Sequence, residues 1–134
     1  MDEVFRHAVQ MHGDRPCLGY RPLLETIGGH FEGRPVKKLM QGGYKFHTYE
    51  SVNHLADCYG RGLLKIGIRP LDKVAILADT CFDWMCMALA LMRFNMPIVT
   101  LYATLSEEGI VHGRVSFGNC QNRALLTLFY FMCC

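Results

Sequence analysis

The spacing of apolar residues predicts an alternation of strands and helices from Tyr44 onward. "YKFHTY" (44–49) alternates between apolar and polar positions as a short strand does. "KVAILA" (73–78) and "PIVTLY" (97–102) are continuous apolar runs, typical of strands buried on both faces. Helical spacing separates these strands, first at Val52, Leu55, Ala56, Tyr59, Leu63 and Ile66, and then in the apolar stretch "FDWMCMALALMRF" (82–94). This order predicts an α/β fold with a parallel sheet and right-handed crossover helices.

The ends of the first crossover helix carry recognisable signals. Thr48 is placed to act as its N-cap, and Glu50 falls in its first turn. Gly67 is placed to end it, with Pro70 shortly beyond. We therefore expect a helix between these two residues.

The N-terminal third has a weaker pattern. Residues 2–12 predict an amphipathic helix with Asp2 and Glu3 at its positive end, and "CLGYRP" (17–22) is consistent with a short strand. Residues 25–43 contain five glycines and a proline, which favours a loop or irregular connection. The basic run "GRPVKK" (33–38) within it is interpreted as a solvated loop.

Polar residues follow both buried strands, where ligands often bind in α/β folds. Asp79 and Thr80 follow the first, and Thr80 with Asp83 resembles a capping box. After the second, Thr104 and Glu107 form T-x-x-E, with Ser106 as a rival N-cap. We interpret these residues as helix caps rather than as ligands for a substrate.

Composition excludes several classes of protein. The chain has 134 residues, of which 51% are hydrophobic and 19% charged, so one folded domain is expected rather than disorder. A net charge of +2 gives no reason to expect a nucleic-acid partner. No apolar run reaches the ~18 residues of a membrane span, and "ALLTLFYFM" (124–132) is too short. Any membrane anchor is therefore expected outside this chain.

The cysteines and histidines indicate neither a disulfide framework nor a metal site. The seven cysteines are odd in number and irregularly spaced, without C-x-x-C, which favours free thiols in a reducing, intracellular compartment. The six histidines do not pair with them at zinc-ligand spacing. Cys133 and Cys134 do not form a C-a-a-X prenylation motif, because Phe131 stands where that motif needs cysteine.

The residues also lack a catalytic motif. No glycine pair lies between a strand and a helix as a phosphate loop requires, and Gly60 and Gly62 fall inside a helix, where a small residue permits close packing. Cys81 and Cys86 flank a helix that is mostly core and are interpreted as small hydrophobic residues. Glu107 and Glu108 are adjacent and do not face one site. We therefore assign no catalytic, cofactor-binding or metal-binding residue.

Several motifs together carry a family resemblance. They are "TY" (48–49), "GLLKIGIRPLDKVAIL" (62–77), "DW" (83–84) and "PIVTLYATL" (97–105), with "HGDRPCLG" (12–19) and "VKKLMQGGYKFHTY" (36–49) upstream. The chain resembles the N-terminal region of the adenylate-forming enzymes, and most of all the animal-type long-chain acyl-CoA synthetases. The resemblance implies a ligase of lipid metabolism that binds a long-chain fatty acid, ATP, Mg²⁺ and CoA. It makes an acyl-adenylate and then the acyl-CoA.

The resemblance covers residues 1–113, which would be an incomplete N-terminal part of the synthetase domain, and residues 114–134 would be a divergent tail. The family's phosphate loop, T-S-G-T-T-G-x-P-K, is not found. We therefore expect the isolated chain to bind no cofactor and to be inactive, with an exposed sheet edge open to self-association. The full-length enzyme is expected at the endoplasmic reticulum or another organelle membrane. The alternative is a non-catalytic interaction module that docks on a full-length synthetase or another protein.

Overall fold

Three helices and three separate pairs of strands form the described part of the protein. The computed structural model describes residues 2–31, 34–102, 104–106, 108–109 and 112. The elements are α1 (Asp2–His12), β1 (Pro16–Tyr20), β2 (Leu23–Phe31), β3 (Arg34–Gln41), β4 (Lys45–Thr48), α2 (Tyr49–Lys65), β5 (Val74–Leu77), α3 (Phe82–Arg93) and β6 (Ile98–Leu101).

The predicted α/β unit is confirmed for β5, α3 and β6. The two strands pair in parallel, from Val74 opposite Ile98 to Leu77 opposite Leu101. Every residue of β5 is buried, as a continuous apolar run on a strand covered on both faces requires. The connecting helix α3 has an unbroken buried stretch from Cys86 to Leu91, because a helix that is apolar on all sides lies in a core.

The strand β4 is not part of this parallel sheet, contrary to the predicted order. It pairs antiparallel with β1, with Gly19 opposite Phe46. Lys45 and Phe46 are exposed, whereas His47 and Thr48 are half-buried. Such a half-solvated strand belongs to an antiparallel pair, since strands of parallel sheets are covered on both faces. The alternating pattern of residues 44–49 was consistent with this pairing.

The prediction of a loop over residues 25–43 is wrong. Strands β2 and β3 form an antiparallel hairpin in which Ile27 lies opposite Lys38 and His30 opposite Pro35. The run predicted as a solvated loop lies largely on β3, where the side chains of Lys37 and Lys38 are exposed. Because the ribbon buries neither face deeply, its sequence shows no alternation, and edge strands tolerate glycine and proline.

The predicted caps of α2 are confirmed. The Thr48 hydroxyl accepts a hydrogen bond from the backbone N–H of Ser51 at 3.2 Å. At the other end, Gly67 has φ +96°, and its N–H donates to the carbonyl of Leu64 at 3.0 Å. The N–H of Ile68 donates to the carbonyl of Leu63 at 3.1 Å. These two bonds make a Schellman motif, which needs a left-handed residue and therefore favours glycine.

Helix α3 ends in the same way without a glycine. Asn95 has φ 55°, and the N–H of Met96 donates to the carbonyl of Leu91 at 2.8 Å. Asparagine tolerates this left-handed conformation better than most residues. Leu91 and Met96 are both buried in one cluster, so the turn that ends the helix also directs the chain into β6.

The core lies between α2, α3 and the parallel strands. One cluster packs α2 on α3 and consists of Val52, Ala56, Cys86, Leu89 and Ala90. A second cluster joins the helices to the strands and consists of Leu63, Ile68, Val74, Ile76, Met87, Leu91 and Met96. Gly60 allows α2 to approach the end of α3 closely, since a Cβ atom at this position would overlap the ring of Phe94.

One buried cation fastens the three helices to one another. The side chain of Arg93, at the end of α3, is 2% exposed. Its Nε donates to Asp2 on α1 and its Nη1 to Asp57 on α2, each at 2.8 Å. Its Nη2 donates to the side-chain oxygen of Asn53, also on α2, at 2.8 Å. A buried guanidinium needs such a set of partners, because an unpaired buried charge is strongly destabilising.

The contact at Gly60 predicts opposite effects for two glycines of the same helix. Gly60→Ala should destabilise the protein by about 1–3 kcal/mol, because the new methyl group overlaps the ring of Phe94. Gly62→Ala is the matched control, since no atom lies within 4 Å of its Cβ position. There alanine should stabilise the helix by about 0.5–1 kcal/mol. Urea unfolding followed by fluorescence of Trp84, the single tryptophan, measures both effects, and equal effects would contradict the packing.

The ion pair of Asp2 predicts an acid-sensitive contribution to stability. Partial burial raises the pKa of Asp2, but the hydrogen bonds from Arg93 and Arg6 outweigh it and hold the pKa below its usual range. A depressed pKa in the folded state stabilises the protein above the unfolded value, and this stabilisation is lost as the pH falls through the folded value. Asp2→Asn should therefore destabilise the protein at neutral pH and have little effect near pH ~2.

Urea unfolding of the parent and of Asp2→Asn at the two pH values tests this expectation. The control is Glu3→Gln, since Glu3 is an exposed carboxylate in the same turn of α1. A loss of stability in Asp2→Asn that does not change with pH would show that Asp2 acts through packing rather than through its charge.

Candidate functional site

Two cavities lie at the carboxyl ends of the parallel strands. The larger, of about 550 Å³, is lined by residues of the turn after β5, the start of α3, β1 and the base of the hairpin. The smaller, of about 270 Å³, lies beside the ends of β5 and β6. Thr80 and Trp84 line both cavities. This edge of an α/β sheet is where ligands commonly bind, so it is the candidate site.

An aromatic stack supports one wall of the larger cavity. The rings of His47 and Phe82 stack with centroids 4.0 Å apart, and Tyr20 stacks on His47 at 5.3 Å. The Nδ1 atom of His47 lies 3.4 Å from the hydroxyl of Ser51. Because β1, β4 and α3 each supply one ring, the stack joins the antiparallel pair to the start of α3. It presents the aromatic surfaces of Tyr20 and Phe82 to the cavity.

One polar residue of the lining, Arg21, is bonded to the backbone. The Arg21 Nε donates to the carbonyl of Gly42 at 2.8 Å, and its Nη2 donates to that of Gln41 at 3.1 Å. Its guanidinium also lies 5.6 Å from the ring centroid of Tyr44. Arg21 therefore holds the base of the hairpin in place, while Asp79 and Thr80 line the cavity as exposed side chains.

The predicted capping box of Thr80 and Asp83 is wrong. Helix α3 begins at Phe82 with Cys81 as its N-cap, and the Cys81 side chain makes no capping hydrogen bond. The Asp83 carboxylate instead accepts a hydrogen bond from the Tyr59 hydroxyl of α2 at 2.9 Å. A partly buried tyrosine hydroxyl needs such a partner. The Asp83 side chain therefore bonds to α2 and does not cap its own helix. Burial and the neighbouring Asp83 raise the pKa of Tyr59 well above its usual range.

The thiols of Cys86 and Cys17 are not suited to nucleophilic chemistry. Cys86 is fully buried between α2 and α3, and burial together with the nearby Asp83 raises its pKa to about 12. Burial also raises the pKa of Cys17. Both thiols are therefore protonated at neutral pH, whereas a nucleophile must be a thiolate. Cys86 acts as a small hydrophobic residue, as its place in an apolar helix indicated.

The described residues do not fit a nucleotide or a metal ion. The turn between β5 and α3, residues 78–81, contains no glycine. Asp83 places a carboxylate in the first turn of α3, which repels the phosphate groups that helix N-termini otherwise attract. Within the described ranges, no group of three or more His, Cys, Asp or Glu side chains could hold a metal ion. The cavities can therefore hold apolar and aromatic groups, but this arrangement offers no set of groups for phosphate or metal chemistry.

The segment after β6 is described only in part. The hydroxyl of Ser106 accepts a hydrogen bond from the N–H of Gly109 at 3.3 Å, which supports Ser106 as the cap. The other candidate for the N-cap, Thr104, would form its predicted capping box with Glu107, which lies outside the described residues. Tyr102, at the end of β6, is 78% exposed and lines the smaller cavity.

The sequence drew attention to one side of this sheet edge only. Asp79 and Thr80 were noted for their position after a buried strand, but they were interpreted as helix caps rather than as ligands for a substrate. Tyr20, Arg21 and His47 come from β1, the turn after it and β4, and no local pattern connects these residues with β5. The short match to a strand at residues 17–22 was the available signal.

None of the helices in the described part is both long and apolar enough to cross a bilayer.

Proteins of known activity are similar to this chain over most of its length. It is 31% identical over 125 residues to "Long-chain-fatty-acid–CoA ligase 1" of Schizosaccharomyces pombe, covering 82% of this chain and 18% of that protein. It is 36% identical over 134 residues to the protein of the same name from Saccharomyces cerevisiae, and the match covers 87% of this chain and 19% of that protein. It is 33% identical to "Long chain acyl-CoA synthetase 8" of Arabidopsis thaliana, covering 96% and 18%. The chain thus spans less than a fifth of the length of these relatives.

Solved structures share the fold at low sequence identity. The adenylation domain of a carboxylate reductase from Mycobacterium chelonae matches with a TM-score of 0.68 at 24% identity, over 86% of this chain and 17% of that one. The A domain of carboxylic acid reductase from Segniliparus rugosus, in complex with AMP and a co-purified carboxylic acid, matches with a TM-score of 0.65 at 18% identity, over 85% and 18%. Because the sequence model of the AMP-binding enzymes matches residues 5–125 as well, this chain belongs to the AMP-binding enzyme family.

Proposed function

We propose that the chain is the N-terminal segment of a long-chain fatty acid–CoA ligase. The carboxylate of the fatty acid would attack ATP to give an acyl-adenylate and pyrophosphate. The thiol of CoA would then displace AMP to give the acyl-CoA. The observation that carries the proposal is the 31–36% identity to three long-chain ligases and synthetases over 82–96% of this chain.

Within such a ligase, the segment acts as a scaffold and does not take part in the chemistry. The high pKa of the Cys86 thiol, the engagement of Asp83 by Tyr59 and the turn without glycine support this role. ATP, Mg²⁺, CoA and the fatty acid would be held by other parts of the enzyme. The isolated chain would therefore be inactive, since no described residue is placed to stabilise the charge that develops on the α-phosphate of ATP as the adenylyl group is transferred and pyrophosphate leaves.

The open edge of the parallel pair supports a proposal about partners. In the described part, the sheet of β5 and β6 has two strands, and a sheet edge is a template for further pairing. We place the next strand of the synthetase at this edge. In its absence, a second copy of the chain or a full-length synthetase would pair there, which is the alternative function as an interaction module.

Two finer assignments rest on the resemblance alone. The family-like part of the chain would end near Gly113, twelve residues before the end of the match to the family model at residue 125, and residues 114–134, which lie outside the described residues, would be a separate tail. The complete ligase would act at the endoplasmic reticulum or another organelle membrane.

A chimeric enzyme tests the ligase and the scaffold proposals separately. Residues 5–113 replace the equivalent segment of the Saccharomyces cerevisiae ligase 1, and acyl-CoA formation from a long-chain fatty acid is measured. We expect kcat/KM to stay within about tenfold of the parent enzyme, because a segment that takes its proper place keeps the substrates aligned. A displaced scaffold would instead lower kcat/KM about 10²-fold. The 134-residue chain alone should show no ATP–pyrophosphate exchange that depends on fatty acid.

Each result has a distinct consequence. Exchange by the isolated chain would overturn the scaffold role and leave the ligase assignment standing. A chimera that keeps the melting temperature of the parent enzyme but has lost acyl-CoA formation would contradict the ligase assignment.

A further inference from the structure

We draw no further inference here: the strongest candidate, the cavity of about 550 Å³ between β1, the base of the hairpin and the start of α3, belongs to the candidate site already described, and the described residues do not show whether a small molecule or a further part of the enzyme fills it.

Discussion

The buried guanidinium of Arg93 is the interaction on which the arrangement of the helices depends. It lies at the end of an otherwise apolar helix and is almost completely removed from water. Its stability there requires carboxylates and an amide from two other helices. Asp2 fastens α1, and Asp57 and Asn53 fasten α2. One cation therefore bonds both α1 and α2 to the end of α3. We call Arg93 with its bonds to Asp2, Asn53 and Asp57 the Arg93 clamp.

The packing around this clamp positions the edge of the parallel strands where the cavities lie. Gly60 allows the ring of Phe94 to approach α2, and the turns at Gly67 and Asn95 lead the chain from the two helices into β5 and β6. The strands consequently end beside the start of α3, where Thr80 and Trp84 line both cavities. The edge where the cavities lie is thus shaped by helix packing.

The sequence predicted those elements whose signals lie within the element itself, and it missed those that depend on contacts between residues distant in sequence. β5 and α3 were predictable because burial on all sides leaves continuous apolar runs. β6 has such a run as well, although it is only partly buried and Thr100 is exposed. α2 was predictable because Thr48 and Gly67 act on adjacent backbone groups. The hairpin was missed because a ribbon in water leaves no periodic pattern. The pairing of β4 with β1, the bond from Tyr59 to Asp83 and the Arg93 clamp join residues distant in sequence, so no local signal encodes them. The same reason explains why half of the cavity lining was not found.

The packing of the three helices depends most directly on Arg93. Urea unfolding of Arg93→Met compared with the parent chain, followed by Trp84 fluorescence, measures what the clamp contributes. Loss of the cation removes the buried partner of two partly buried carboxylates and leaves Asp2 and Asp57 only their ion pairs with the exposed Arg6 and Arg61, so the free energy of unfolding should fall by about 3 kcal/mol. A change below about 0.5 kcal/mol, typical of an exposed ion pair, would contradict the central place given to this residue.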